Sequence, residues 1–152
     1  MKLSSPAFQD GAPIPVRHTC KGENCSPQLD WSGAPAAETQ SFALLVTDPD
    51  APGGTFLHWL IFNIPATCKR LDAGIPNNFK LANGAVQCLN SFGKPGYGGP
   101  CPPPGENHRY FFELLALNAM LDPREIARPA DLLCAIENNV LIRTILMGTF
   151  KR

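Results

Sequence analysis

The sequence predicts a single domain that is mainly β, with one or two short helices near its C-terminus. A chain of 152 residues fits one domain, and hydrophobic residues at 44% are enough for a packed core. The 16 prolines and 13 glycines interrupt the chain so often that long helices have little room. The apolar residues between these interruptions form runs of strand length, which favours β-structure.

Four of these runs have the length and composition of strands. The run 56–64 is apolar on both faces, which indicates a strand in the middle of a sheet. The run 140–150 is rich in β-branched and aromatic residues, which suit strands. The strands are predicted at 41–47, 56–64, 108–117 and 140–150, with weaker candidates at 17–21, 29–31 and 85–89.

The clearest helix is predicted at 129–138. Pro129 suits a first helical turn, Leu132 and Ile136 share a short apolar face, and a pair of asparagines then ends the pattern. A second helical turn is predicted at 123–127. Helices are therefore expected only in the last third of the chain.

The charge balance excludes several functional classes. Thirteen basic and thirteen acidic residues give a formal net charge of zero, and no charge run of either sign occurs. A nucleic-acid partner is therefore not expected.

The first residues lack the apolar core of a secretory signal, and no apolar stretch is long enough to span a bilayer. We expect a soluble, cytoplasmic protein.

The six cysteines allow two interpretations. A domain of this size can build a core without covalent staples, so we expect buried free thiols, with one or more disulfides as the alternative. Cys20 and Cys25 are separated by four residues, and no second close pair matches a zinc ribbon. We expect no metal site and no cofactor. The cysteines lie at positions 20, 25, 68, 88, 101 and 134.

Two of the three histidines lie in the two densest motifs of the chain. The segment 48–54, DPDAPGG, leads into His58, and the Gly/Pro-rich segment 96–105 leads into His108. Aspartate, histidine and a rigid loop are common components of a small polar pocket. Two carboxylates one residue apart repel each other unless a cation or donor lies near them, and a histidine is a natural partner. The alternative is that 48–52 is only a turn that ends the preceding strand, and that each histidine is hydrogen-bonded within the core.

Strand alternation predicts which side chains accompany each histidine. His58 is expected on one face with Phe56, Leu60 and Phe62, and the residues at 57, 59 and 61 on the other.

The same rule places His108 with Tyr110, Phe112 and Leu114, opposite the residues at 109, 111 and 113. Each histidine would then start an otherwise apolar row, at the rim of a hydrophobic face. Arg109 lies on the other face, where we expect a buried or semi-buried ion pair with an aspartate rather than ligand contact.

The glycines at 96, 98, 99 and 105 allow close backbone approach, and such a loop can present N–H groups to an anion. Neither the spacing nor the ending of a P-loop is present.

Together these segments resemble the phosphatidylethanolamine-binding protein family, in its bacterial and archaeal branch of Raf kinase inhibitor-like proteins. The first motif is DPDAPGG at 48–54 with HW at 58–59, and the second is YGGPCPP at 97–103 with HRY at 108–110. The supporting segments are TCKGEN at 19–24, SPQLDW at 26–31, NIP at 63–65 and GTFKR at 148–152.

The resemblance implies a large antiparallel sheet packed with a smaller sheet, and a small anion-binding pocket near one end. Family members bind phosphate-type head groups or small anions there, some inhibit serine proteases or regulate kinases, and bacterial relatives are often homodimers. One departure is the compact stretch 105–108, where Glu106 adds an acidic group close to the implied site. The ligand-binding residues implied by the resemblance are Asp48, Asp50, Pro52, His58, Gly99, Pro100, His108 and Tyr110.

Three functions remain in competition from the sequence. In the first, a non-catalytic pocket binds a small anion or phosphorylated head group: Asp48 and Asp50 orient the histidines, while histidine and loop N–H groups contact the ligand. In the second, the Asp and His residues form a hydrolase such as a phosphoesterase, or bind a divalent metal. No activated nucleophile is visible, so we expect no catalytic residues. In the third, the surface around the pocket docks a protease or kinase.

Overall fold

The structure, a computed structural model, describes residues 1–126 and 128–152. It is mainly β, with two antiparallel sheets, as expected. The large sheet has the order β6-β4-β3-β7-β8, and the small sheet has the order β1-β2-β5. The strands are β1 (Lys2–Ser4), β2 (Leu29–Ser32), β3 (Ser41–Asp48), β4 (Phe56–Pro65), β5 (Arg70–Leu71), β6 (Val86–Gln87), β7 (Asn107–Leu117) and β8 (Val140–Lys151).

All four main strands and the helix α1 (Pro129–Glu137) lie where the sequence predicts them. The predicted turn at 123–127 is a 3-10 helix over Pro123–Glu125, and Ala127 is outside the described residues. The weak strand at 17–21 is wrong. This region is a 3-10 turn over Val16–His18 followed by further turns, in which the backbone N–H and hydroxyl of Thr19 both donate to the carbonyl of Val16. Strands β1 and β5, with three and two residues, are too short to leave a sequence pattern.

The large sheet separates two apolar clusters. On one face Trp59, Phe112 and Leu114 pack toward the small sheet, where they meet Leu29 and Trp31 of β2. On the opposite face the large sheet packs against the apolar side of α1. The residues of that second cluster include Ala43, Leu60, Phe62, Leu115, Leu132 and Ile136. The apolar character of both faces of β4 therefore follows from its central position, because each face meets a separate packing layer.

Strand β4 contains a β-bulge at His58. Val46 of β3 pairs with Trp59 and the next residue, Thr47, pairs with Leu57, so His58 has no partner in the ladder. An extra residue of this kind reverses the alternation of side chains on its strand. Leu57 consequently packs with the helix-side cluster, and the His58 ring turns to the other face.

The bulge makes one sequence prediction wrong. His58 does not share a face with Leu60 and Phe62, which belong to the helix-side cluster. Its ring instead meets that of Tyr110, at 5.2 Å between centroids. On β7 no bulge intervenes near the histidine, and the alternation predicted there is confirmed. Tyr110, Phe112 and Leu114 all lie in the cluster between the sheets.

The short edge strand β6 is fixed by the side chain of Gln87. The indole N–H of Trp59 donates to its Oε1 at 2.6 Å. Its Nε2 donates to the carbonyls of Pro76 and Asn78, at 2.8 and 2.7 Å. All three bonds involve a side chain that is almost completely buried. One amide therefore ties the loop before β6 to the centre of the large sheet.

Candidate ligand-binding site

A cavity of about 320 Å³ opens at one end of the large sheet, where β3 ends and β4 and β7 begin. Its volume is within the range of small-molecule sites. The two predicted motifs meet here, because β3 pairs with both β4 and β7. Four of the eight predicted site residues line the cavity: Asp48, Pro52, His58 and His108.

The other four predicted residues do not line it. Asp50 turns away to Arg109, and Tyr110 is completely buried beside the His58 ring. Gly99 and Pro100 lie in the loop next to the cavity wall, whose lining residues begin at Cys101.

His108 is held between two carboxylates. Its Nδ1 lies 2.7 Å from Asp48 Oδ2, and its Nε2 lies 2.7 Å from Glu106 Oε2. Ionised carboxylates only accept hydrogen bonds, so this arrangement favours a proton on both ring nitrogens, which is the imidazolium form. Burial alone would lower the pKa of His108. The hydrogen bonds to Glu106 and Asp48, together with both negative charges, outweigh burial, so the pKa is raised.

His58 is the opposite case. Its Nδ1 lies 2.6 Å from the carbonyl oxygen of Gly98, which can only accept, so Nδ1 carries a proton. Burial lowers the pKa of His58 more than the Gly98 hydrogen bond and the charge of Asp48 raise it. The neutral ring therefore has a lone pair on Nε2. The contacts therefore favour the cationic form of His108 and the neutral form of His58.

Asp50 does not orient a histidine, contrary to the sequence hypothesis. Its carboxylate accepts from the guanidinium of Arg109 at 2.8 and 2.9 Å, and from the backbone N–H of the same residue at 3.0 Å. The side-chain and backbone bonds from Arg109 lower the pKa of Asp50 to about 2. The predicted pairing of Arg109 with an aspartate is thus confirmed, although the Arg109 side chain is 53% exposed rather than buried. This ion pair connects the turn after β3 to the start of β7.

The Gly/Pro-rich loop is held by the segment 16–25 beneath it. The hydroxyl of Tyr97 donates to the carbonyl of His18 at 2.8 Å, and the N–H of Cys20 donates to the carbonyl of Pro100 at 3.1 Å. A disulfide joins Cys20 to Cys101. The expectation of free thiols is wrong for these two cysteines, because the fold brings segments 81 residues apart into contact. The remaining cysteines, at 25, 68, 88 and 134, are free thiols.

The loop amides serve the fold rather than the cavity. The N–H of Gly98 donates to the carbonyl of His58 at 2.9 Å, and that of Gly99 donates to the side chain of Asn24 at 2.8 Å. A Cβ on Gly99 would lie 2.3 Å from the carbonyl oxygen of His18. Glycine is therefore required there because two backbone segments approach closely. The hypothesis that these two amides contact a ligand does not fit their hydrogen bonds.

Several lining residues were not predicted as site residues. Phe56 and Phe92 form an aromatic wall, with 4.7 Å between ring centroids, and Phe92 is 46% exposed. The segment 101–103 forms a second wall, and Arg152 lines the cavity with its guanidinium 3.9 Å from the sulfur of Cys101. Phe56 is two residues from His58, so alternation gave a usable signal for it. Phe92 and Arg152 reach the cavity through tertiary packing, for which the sequence offers no local signal.

Comparison with known proteins agrees with this architecture. The family model of the phosphatidylethanolamine-binding proteins matches residues 4–151. The chain belongs to this family. Among its relatives is a UPF0098 protein of Methanothermobacter thermautotrophicus, which is 47% identical over 152 residues, covering 100% of this chain and 99% of the relative.

Two solved structures of the phosphatidylethanolamine-binding protein (PEBP) family have the same fold. The Escherichia coli protein YbcL, described as a new member of the mammalian PEBP family, superposes with a TM-score of 0.90 at 35% identity. The match covers 99% of this chain and 98% of that one. A putative PEBP homologue from Chlamydia trachomatis superposes with a TM-score of 0.87 at 36% identity, covering 99% and 96%.

The chemistry available to this PEBP family member follows from these contacts. Among residues 1–126 and 128–152, no group of three or more His, Cys, Asp and Glu side chains is arranged to hold a metal ion. In the same residues, no helix combines the length and apolar character needed to cross a membrane. The cavity offers the imidazolium of His108, the neutral ring of His58 and the guanidinium of Arg152 beside an aromatic wall.

Proposed function

We propose that the cavity binds a small anion or a phosphate-type head group, and that the protein acts by binding rather than by catalysis. The observation that carries this proposal is the cationic His108, held by Asp48 at the base of a cavity of about 320 Å³. A buried imidazolium with fixed orientation can donate a charge-assisted hydrogen bond to an anion when the Glu106 carboxylate leaves its Nε2.

The two carboxylates of the first motif do not oppose such a ligand. Asp48 is neutralised by His108 and Asp50 by Arg109, at 2.7 and 2.8 Å. Arg152 lines the cavity as a further cation. The lone pair of His58 can accept from a protonated ligand oxygen, so a phosphate monoester offers complementary groups to both histidines.

The aromatic wall favours a ligand with an apolar substituent. Phe56 and Phe92 present ring surface beside the histidines, and burial of such a surface stabilises an apolar or aromatic group. Phenyl phosphate is therefore a suitable probe, and it should bind more tightly than inorganic phosphate.

Calorimetry with phenyl phosphate between pH 5.5 and 8.5 tests the proposal. Binding should weaken as the pH rises through the raised pKa of His108, because the imidazolium is then lost. Benzenesulfonate, whose charge is constant over this range, separates the titration of the protein from that of the ligand. His108→Gln should remove the pH dependence of binding. Glu38→Gln, which changes an exposed side chain in a turn outside the cavity lining, should leave that pH dependence unchanged. A flat profile for benzenesulfonate in the unmodified protein would contradict the proposal.

Two simple measurements test the other candidate functions, a hydrolase and a protein-interaction regulator. Release of phenol from phenyl phosphate, lost in His58→Ala, would favour a hydrolase that uses His58 as a general base. Inhibition of a chymotrypsin-like protease would favour the protein-interaction function. Homodimerisation stays a prediction that light scattering can test.

A further inference from the structure

We propose that Glu106 is a built-in competitor for the anion site: its carboxylate occupies the His108 donor that a ligand anion would use, and ligand binding displaces it. This inference rests on the proposed function, and it adds a regulatory contact to that site. The carboxylate and a ligand anion require the same hydrogen atom, so both cannot bind to it at once.

The geometry of the three side chains supports the competition. The His108 side chain is 4% exposed, and its Nδ1 donates to the buried carboxylate of Asp48. The Nε2 atom is its second donor, and Glu106 Oε2 lies 2.7 Å from it. The two carboxylates and one imidazolium carry a net charge of −1, which repels an incoming anion. Removing Glu106 from the ring leaves a neutral Asp48–His108 pair with an available N–H donor.

The two carboxylates differ in their freedom to leave. The Asp48 side chain is 5% exposed and also accepts from the backbone N–H of Asp50 at 2.8 Å. The Glu106 side chain is 52% exposed. Among the described residues, His108 is the one side chain with which its carboxylate forms a hydrogen bond. A half-exposed carboxylate regains water when it rotates away, so the cost of displacing it is small. Asp48 is therefore the permanent partner and Glu106 the exchangeable one.

The backbone around Glu106 keeps its carboxylate close to the cavity after displacement. Its N–H donates to the carbonyl of Pro103 at 3.1 Å, and its carbonyl accepts from the N–H of Arg152 at 3.3 Å. Pro103 and Arg152 both line the cavity. Because the turn is anchored on both sides, the exchange needs rotation of one side chain and no movement of a loop. Arg152 can then contact the anion that replaces the carboxylate.

The test compares Glu106→Gln with the unmodified protein by two independent readouts. Binding of inorganic sulfate and phenyl phosphate is measured by calorimetry at low salt. The titration of His108 is followed by NMR without any ligand. A half-exposed ion pair of this kind holds a majority of molecules closed, so Glu106→Gln should bind both anions about two- to sixfold more tightly. The pKa of His108 should fall because one of its two carboxylate partners is gone. Glu38→Gln removes the same charge from an exposed turn and should change neither quantity.

Each outcome has a distinct meaning. An unchanged pKa of His108 in Glu106→Gln would show that the contact is absent in solution and would overturn the inference. A lowered pKa with equal anion affinity in both proteins would overturn the competition and leave the proposed function intact. If neither protein binds sulfate or phenyl phosphate at millimolar concentration, the proposed function fails and this inference fails with it.

Discussion

The disulfide between Cys20 and Cys101 gives the most quantitative prediction. The variant is Cys20→Ser/Cys101→Ser, which removes the covalent link between the segment 16–25 and the cavity wall. The link spans a sequence separation of 81 residues, so it strongly restricts the unfolded chain. The chain-entropy relation for a loop of this length gives about 15 cal/mol/K, which is about 4.5 kcal/mol at 25 °C. We expect the free energy of unfolding to fall by about 3–4.5 kcal/mol, since measured values often lie below this relation.

Urea denaturation without reductant measures this loss. With a urea dependence of about 2 kcal/mol per molar, the midpoint of the double variant should fall by about 1.5–2.3 M. Reductant should shift the unmodified protein by a similar amount and should leave the double variant unchanged. Cys134→Ser is the matched control, because Cys134 is an exposed free thiol and its loss should not shift the midpoint.

Two results would refute this reasoning. Thiol titration of the denatured, unreduced protein should detect the four free cysteines, and detection of all six would show that the disulfide does not form. A midpoint within about 0.2 M of the unmodified protein would show that the link does not stabilise the fold, because the expected shift is about eight times larger.

Two further predictions concern single side chains. Gln87→Leu should destabilise the protein by about 3 kcal/mol in urea denaturation, because the indole N–H of Trp59 and two backbone carbonyls lose their buried partner. The exposed Gln9→Leu should shift the midpoint little, and equal midpoints for both variants would contradict the anchoring role of Gln87. Asp50 has a pKa of about 2, below its ordinary 3.8, so its pairing with Arg109 stabilises the fold above about pH 4 and is lost as the pH falls toward 2. The urea midpoint of Asp50→Asn should therefore fall less between pH 5.5 and 2.5 than that of the unmodified protein, and an equal fall would contradict the pairing.

The sequence predicted the long elements well because their signals are local. The apolar runs at 56–64 and 108–117 and the helix at 129–138 each contain their own periodicity. The two-residue strands β5 and β6 depend on partners elsewhere, so their bounds could not be read from the chain. The segment 17–21 failed because its turn is stabilised by a hydroxyl-to-carbonyl bond from Thr19 that competes with an extended conformation.

The site was predicted in part for the same reason. Asp48 and His108 lie at the ends of strands that pair directly, so their approach follows from the predicted sheet. Asp50 was assigned to a histidine because the sequence cannot show which of two aspartates points to which cation. Arg152 and Phe92 enter from separate segments, and their positions depend on packing that no local pattern encodes.

The bulge at His58 divides β4 into sections that tolerate different substitutions. Residues 59–62 are completely buried and alternate between two apolar clusters, so each accepts little beyond an apolar side chain of similar volume. Residue 58 is outside the ladder, so its side chain can change without altering the pairing of the strands on either side. A substitution at this position therefore changes the contacts of the cavity, including the bond to the Gly98 carbonyl and the ring contact with Tyr110, before it changes the pairing of the sheet. The extra residue thus separates the side chain that faces the cavity from the register of the sheet.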